Sequence, residues 1–159
     1  MTSPINRIEY EAMLFGRHLA MLPAGRSRRQ GSLLDQSAYT LLSLLDAGGP
    51  ASLAELAVAT GLDVSTLNRQ TAALRRSGLA ERFDDPDGGQ ARKLRLSDDG
   101  RRLLTKERSE SQELLADVLS HWPERDQAQL AELLARYNRA IEERSGRHWP
   151  RPARDEGGA

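Results

Sequence analysis

A mainly α-helical fold with a small β hairpin is what this chain of 159 residues predicts, on three observations. Ser52 and Glu55 form the first pair of helix-starting residues in a stretch that turns at Gly61 and restarts at Asp63. Two short alternating runs flank a Gly-rich turn at DDPDGG. Apolar residues recur at spacings of three and four both before and after this central region, which is the signature of amphipathic helices.

In chain order, Pro4 to Leu22 reads as a helix, with Ile5, Ile8, Ala12, Phe15, Leu19 and Leu22 on one face and Pro23 and Gly25 as its stop. Arg26, Arg28 and Arg29 follow in a polar loop, either a solvated linker or a phosphate-steering segment. Asp35 to Asp46 is a second helix, with Ala38, Leu41, Leu42 and Leu45 inward and Gly48, Gly49 and Pro50 as its end. Ser52 with Glu55 makes a capping box, so a third helix starts at Leu53 and turns its Leu53, Leu56 and Ala57 face inward. Gly61 supplies the positive-φ turn.

Asp63 caps a fourth helix whose inner face is Leu67, Thr71 and Leu74. Its outer face holds Ser65, Thr66, Asn68, Arg69, Ala72, Arg75 and Arg76, with Gln70 on the border, and Gly78 closes it. Two helices joined by a short Gly turn, the second with a polar outer face, are the helix-turn-helix pattern of duplex-DNA readers. Leu79 to Phe83 and residues 93–96 then form a two-stranded wing, Leu94 and Leu96 facing the core. Gln90, Arg92 and Lys93 are its candidate minor-groove contacts. Ser97 caps a long helix reaching about Trp122. It is apolar at both ends (Leu103 and Leu104; Leu114, Leu115, Val118 and Leu119) and polar all round in between, as if bridging two packed regions. Pro123 opens a last helix bearing Leu130, Leu133, Leu134, Tyr137 and Ile141, ended by Gly146. The remaining RHWPRPARDEGGA lacks periodicity and is expected to be disordered.

The composition narrows the function. Formal net charge is zero, yet residues 64–95 carry seven Lys/Arg against four Asp/Glu, while residues 35–63 carry four acids and no base. A weakly basic helix-turn-helix region in a neutral chain fits moderately salt-driven DNA binding. Without cysteine there are no disulfides, thiolate metal sites or thiol switches. No apolar run approaches the roughly 18 residues a membrane span needs, so a soluble, cytoplasmic protein is expected. His18, His121 and His148 stand apart from any nucleophile or metal-ligand spacing, and Asp84, Asp85 and Asp87 read as a turn, so neither enzyme, metal nor cofactor is expected.

The first helix, the far end of the long helix and the last helix each present an apolar face that one central lobe cannot cover. A second copy is the simplest cover, through Ile5, Ile8, Phe15, Leu115, Leu119, Leu130, Leu133, Leu134, Tyr137 and Ile141. The organisation read from the sequence is thus an N-terminal dimerisation helix and loop (1–34), a DNA-binding lobe (35–97), a linker and C-terminal dimerisation helix (98–145) and a tail (146–159).

The order of elements, with LAELAVATGLDVSTLNRQTAALRRSGLAER and LRLSDDGRRLL, resembles the MarR family of bacterial winged helix-turn-helix regulators. The resemblance spans about Ile5 to Arg144 and is most specific in the DNA-binding core. It implies a homodimer on a pseudo-palindromic operator, usually a repressor released by a small ligand. It also implies that Ser65, Thr66, Asn68 and Arg69 meet the major groove, with Ser65 and Thr66 holding a phosphate and Asn68 and Arg69 reaching base edges. Arg82 matches the Arg that commonly ends the first wing strand. Where the family wing carries Asp-x-Arg, this chain has Gly88 and Gln90, with Asp87 and Arg92 as neighbouring substitutes. An effector pocket between the lobes would be lined by Met13, His18, Met21, Tyr39 and Leu42. A winged-helix module for protein partners and a regulator without a ligand are the alternative readings.

Overall fold

A computed structural model describes residues 3–19, 34–84 and 92–151. The described elements are α1 (Pro4–Leu19), α2 (Gln36–Gly48), β1 (Ala51–Ser52), α3 (Leu53–Thr60), α4 (Val64–Arg76), β2 (Ala80–Phe83), β3 (Lys93–Leu96), α5 (Asp98–Val118) and α6 (Glu124–Ser145). The core lies between α2, α3, α4, the sheet and the first turns of α5. Leu41, Leu42, Leu56, Leu67 and Leu104 are its most deeply buried side chains, with Leu34 sealing the start of α2. Each such leucine contributes about 1.5–3 kcal/mol by leaving water.

Local chemistry sets the helix boundaries. The Asp35 carboxylate accepts the Ala38 N–H at 2.8 Å and starts α2. At α3, Ser52 Oγ accepts the Glu55 N–H at 3.2 Å, and the Glu55 carboxylate accepts the Ser52 N–H at 2.7 Å, a complete capping box. Gly61 then takes φ +71°, the left-handed conformation that turns the chain into α4.

The sheet has three strands rather than two. The order is β1-β3-β2, all antiparallel, with Ala51 opposite Leu94 and Arg82 opposite Leu94 from the other side. A two-residue strand is too short to leave a periodic signal, so β1 escapes sequence reading. The wing strand starts at Ala80, one residue late, because Leu79 is spent on junctions: its N–H reaches the Leu74 carbonyl and its own carbonyl accepts the Ser97 N–H. Helix α5 begins hard against that junction, where a Cβ on Gly100 would run into the Leu79 carbonyl.

Helix α5 departs from the sequence reading twice. It ends at Val118, capped at Leu119, short of Trp122, and its 21 residues span about 31 Å. Its middle is polar, as read, but one face of it is buried rather than wet. Leu104, Glu107 and Ser111 form a buried stripe at spacings of three and four, and the helix packs on α2 there. Asp46 near the end of α2 receives Arg101 at 3.0 Å and Arg108 at 2.6 Å, which ties the seam. The buried stripe includes a carboxylate and a hydroxyl, so a count of apolar residues alone misses it.

Residues 147–151, expected to be disordered, instead fold back onto the lobe. Trp149 packs against the core, and Pro150 lies on Gly48 at the end of α2. The Arg147 guanidinium fills the space beside Gly61. Arg151 clasps Glu142 of α6 through both guanidinium nitrogens, at 2.5 and 3.0 Å, and the Trp149 N–H donates to the same carboxylate at 3.2 Å. The Arg151 side chain holds Glu142 below the ordinary carboxylate range. Residues 152–159 lie outside the described residues.

Candidate nucleic-acid interface

Leu67, Thr71 and Leu74 are buried at i, i+4 and i+7, and this fixes how α4 is rotated. With that face anchored, Ser65, Asn68, Arg69, Arg75 and Arg76 are exposed and Thr66 is half-buried. Thr71 bonds its hydroxyl to the Leu67 carbonyl at 2.8 Å, so a polar side chain enters the core without an orphan group. The side chains of Asn68 and Arg69 engage no other described side chain and point their amide and guanidinium into solvent, a turn beyond the helix start. These two chemistries suit adenine and guanine edges respectively.

The first turn differs from expectation. Ser65 and Thr66 were expected to offer hydroxyls to a phosphate. Instead Ser65 Oγ donates to Asp63 Oδ1 at 2.5 Å, and Thr66 Oγ1 donates to Asp63 Oδ2 at 2.8 Å. The Thr66 N–H also donates to Asp63 Oδ1, at 2.8 Å. The Ser65 hydroxyl is the largest of the causes that hold the Asp63 carboxyl far below its ordinary range, followed by the Thr66 N–H and the Thr66 hydroxyl. The helix N-terminus therefore already has its anion.

Gln70 falls on the inner side rather than on the reading face. It is half-buried, its carbonyl oxygen is shut away from solvent without a donor among the described residues, and it borders a cavity of about 270 Å³ with Thr40, Leu62 and Trp149. Lys93 also sits elsewhere than expected. It lies in the central strand, paired with both Ser52 and Phe83, half-buried and engaged rather than at a wing tip. Arg92 is exposed just before that strand. Gln90, with Gly88 and Asp87, lies outside the described residues.

Between the last turns of α4 and β2 lies a concavity of about 540 Å³, rimmed by Arg75, Arg76 and Arg82. Glu81, also on that rim, is drawn off across the strands by Arg95 at 2.7 Å, and the Arg95 guanidinium stacks over the Phe83 ring at 5.0 Å. Three guanidiniums are thereby left facing solvent beside the reading face. Sequence reading found Arg75 and Arg76 and gave Arg82 only through the family resemblance; the pairing of Glu81 with Arg95, one strand over, is what unbalances the charge. Val64 at the helix start, which the sequence reading did not assign, is 58% exposed.

Four of the five residues expected around an effector are among the described residues. Leu42 is fully buried in the core and cannot line a pocket; Tyr39 packs against the core from its edge. Met13 and His18 are exposed on α1, and Met21 lies outside the described residues. Met13, His18, Tyr39 and Leu42 border neither concavity above. The expected dimerisation residues are more coherent. Ile5, Ile8, Phe15, Leu115, Leu133, Tyr137 and Ile141 are each at least 42% exposed, Leu119, Leu130 and Leu134 are half-buried, and α6 buries no residue at all. Among the described residues no cluster of His, Asp and Glu could hold a metal ion, and no helix is long and apolar enough to cross a membrane.

Comparison with known proteins agrees with this geometry. Residues 34–81 match a family described as winged helix-turn-helix DNA-binding. The chain is 36% identical over 139 residues to the uncharacterized HTH-type transcriptional regulator YxaD of Bacillus subtilis (strain 168), covering 87% of this chain and 96% of the relative. A MarR family protein from Bacillus stearothermophilus shares the fold at a TM-score of 0.70 and 21% identity, over 89% of this chain and 99% of that one. The PcaV transcriptional regulator of Streptomyces coelicolor, solved in complex with its natural ligand, matches at 27% identity and a TM-score of 0.52, over 69% of this chain and 77% of that one.

Proposed function

Because this chain belongs to the winged helix-turn-helix transcriptional regulators and has the fold of a MarR family protein, we propose that it works, as that family does, by DNA binding rather than catalysis, as a homodimeric repressor. It would bind a pseudo-palindromic operator in the bacterial cytoplasm and leave it when a small effector binds. The observation that carries the reading is the orientation of α4: its apolar residues are spent on the core, and Asn68 and Arg69 stand free on the outer face. In the reading, each α4 enters a major groove and Arg75, Arg76 and Arg82 seat on flanking phosphates. Arg92 is close enough in sequence to the wing tip to follow the adjacent minor groove.

Homodimerisation is supported by α1 and α6, whose large apolar residues the described chain leaves in water. Exposed apolar surface of that extent on soluble proteins marks an interface. A two-fold axis would present two α4 helices to half-sites about one helical turn, roughly 34–36 Å, apart. Release by an effector is supported by the ligand-bound PcaV relative alone. A mobility-shift titration of the full chain on its own upstream DNA against random duplex, with and without a broad panel of phenolic and drug-like compounds, together with sedimentation of the free protein, tests all three elements. Binding to both DNAs alike would refute operator recognition, a monomer in sedimentation would refute the dimer, and a shift indifferent to every compound would refute the effector.

A further inference from the structure

The proton directions in the first turn of α4 decide what its hydroxyls can recognise. A serine or threonine hydroxyl has one hydrogen to give and two lone pairs. Ser65 and Thr66 both give theirs to Asp63, at 2.5 and 2.8 Å, and Asp63 also holds the Thr66 N–H. What the pair presents outward is therefore acceptor only. Phosphate oxygens, guanine O6 and N7, and thymine O4 all require a donor; the exocyclic amino groups of adenine and cytosine require an acceptor.

Two neighbours sharpen the choice. The exposed Asp63 carboxylate is a negative charge beside the turn, which disfavours a phosphate there and offsets the helix dipole that would otherwise attract one. Val64 lies between Asp63 and Ser65 and exposes 58% of its surface. An aliphatic group in a major groove finds its match in the thymine methyl. An A·T pair offers an amino donor and a methyl on the same edge, whereas a C·G pair offers the donor without the methyl.

We propose that Val64, Ser65 and Thr66 read an A·T pair in each half-site, and that Asp63 is the positioning residue that sets the polarity of the two hydroxyls. The assignment rests on the DNA-binding reading above and replaces a phosphate contact with a base contact. It predicts a division of labour: phosphates are held at Arg75, Arg76 and Arg82, and sequence is read from Val64 to Arg69.

The test is selection from a duplex library randomised over the half-site, using the full-length protein and the variants D63N, S65A and T66V, with salt titrations on the selected sequence. The wild type should enrich A·T at one or two positions per half-site. D63N keeps a carbonyl to cap the Thr66 N–H but cannot accept both hydroxyls, so a freed hydroxyl can donate. Its enrichment should turn toward bases with acceptors. S65A and T66V keep Asp63 and its cap on the Thr66 N–H, and should lose A·T discrimination by about three- to ten-fold, the worth of one neutral hydrogen bond, with the salt dependence unchanged. Unaltered base preference in all three variants, or a uniform loss with a shallower salt slope in S65A and T66V, overturns the proposal while leaving DNA binding intact. Absence of any enrichment by the wild type overturns the DNA-binding reading and this inference together.

Discussion

The central lobe and the flanking helices are built on opposite principles. Helices α2 to α4, the sheet and the start of α5 bury a continuous cluster of leucines, each element closed by its own cap. Helices α1 and α6 have the same amphipathic pattern in sequence, but among the described residues it is left largely exposed, and α6 buries none of its residues. Periodicity thus says that a face is apolar and not what covers it. The lobe is packed by its own contacts; in the proposed dimer the flanks would be covered by a second copy.

The largest effects that would sharpen this contrast lie in the lobe. Leu67→Ala should cost about 2–5 kcal/mol, the usual cost of a cavity in a close-packed core, and by the same amount at every protein concentration in urea unfolding. Leu133→Glu on α6 should behave in the opposite way. It should leave the lobe's unfolding transition nearly unmoved while shifting the sedimentation equilibrium from dimer to monomer. A Leu133→Glu variant that sediments as the wild type does, or that lowers the lobe's unfolding midpoint as far as Leu67→Ala does, would break the comparison. Next in size, Arg69→Ala should weaken operator binding by about 1–3 kcal/mol and flatten the preference at one position per half-site, read by competition with single-base operator variants. A uniform loss across sequences would move Arg69 to the phosphate class.

The same contrast explains what the sequence made legible. Caps and turns are local chemistry, so Ser52 with Glu55, Gly61 and Asp63 could be read directly, and with them the rotation of α4 that exposes Asn68 and Arg69. Features that depend on a distant partner could not. Strand β1 exists because β3 lies alongside it. Glu107 and Ser111 are buried because α5 packs on α2 there, where Asp46 draws in Arg101 and Arg108. The hydroxyls of Ser65 and Thr66 looked like phosphate donors because sequence alone does not show that Asp63 claims their protons.

Residues 147–151 mediate between the two regions. The Trp149 indole and Pro150 ring sit on the lobe while Arg151 grips α6. The ion pair is partly exposed on the arginine side, so solvent screens it and Arg151→Ala alone should cost little. Trp149→Ala should cost more, since it removes buried aromatic area. The exchange E142R with R151E should recover part of what either reversal loses. Hydrogen exchange at the C-terminal end of α6 is the readout, and faster exchange in W149A with the lobe unchanged is the expected result.

The smallest effect concerns the cap of the reading helix itself. The folded-state pKa of Asp63 lies well below its ordinary value of 3.8, because the charged carboxylate is favoured by the Ser65 hydroxyl and then by the Thr66 N–H and hydroxyl. A depressed folded pKa stabilises the fold wherever the unfolded carboxyl is already ionised. The contribution is therefore complete above about pH 5, declines as the pH falls through 3.8, and is gone once the folded carboxyl also protonates. D63N lacks this dependence. The melting temperature of the wild type should exceed that of D63N at neutral pH, and the gap should begin to narrow below about pH 4 and go on narrowing as the folded carboxyl protonates. A gap that stayed constant down to strongly acidic pH would mean that the two hydroxyls do not favour the charged carboxylate, and the acceptor polarity assigned to Ser65 and Thr66 would lose its physical cause.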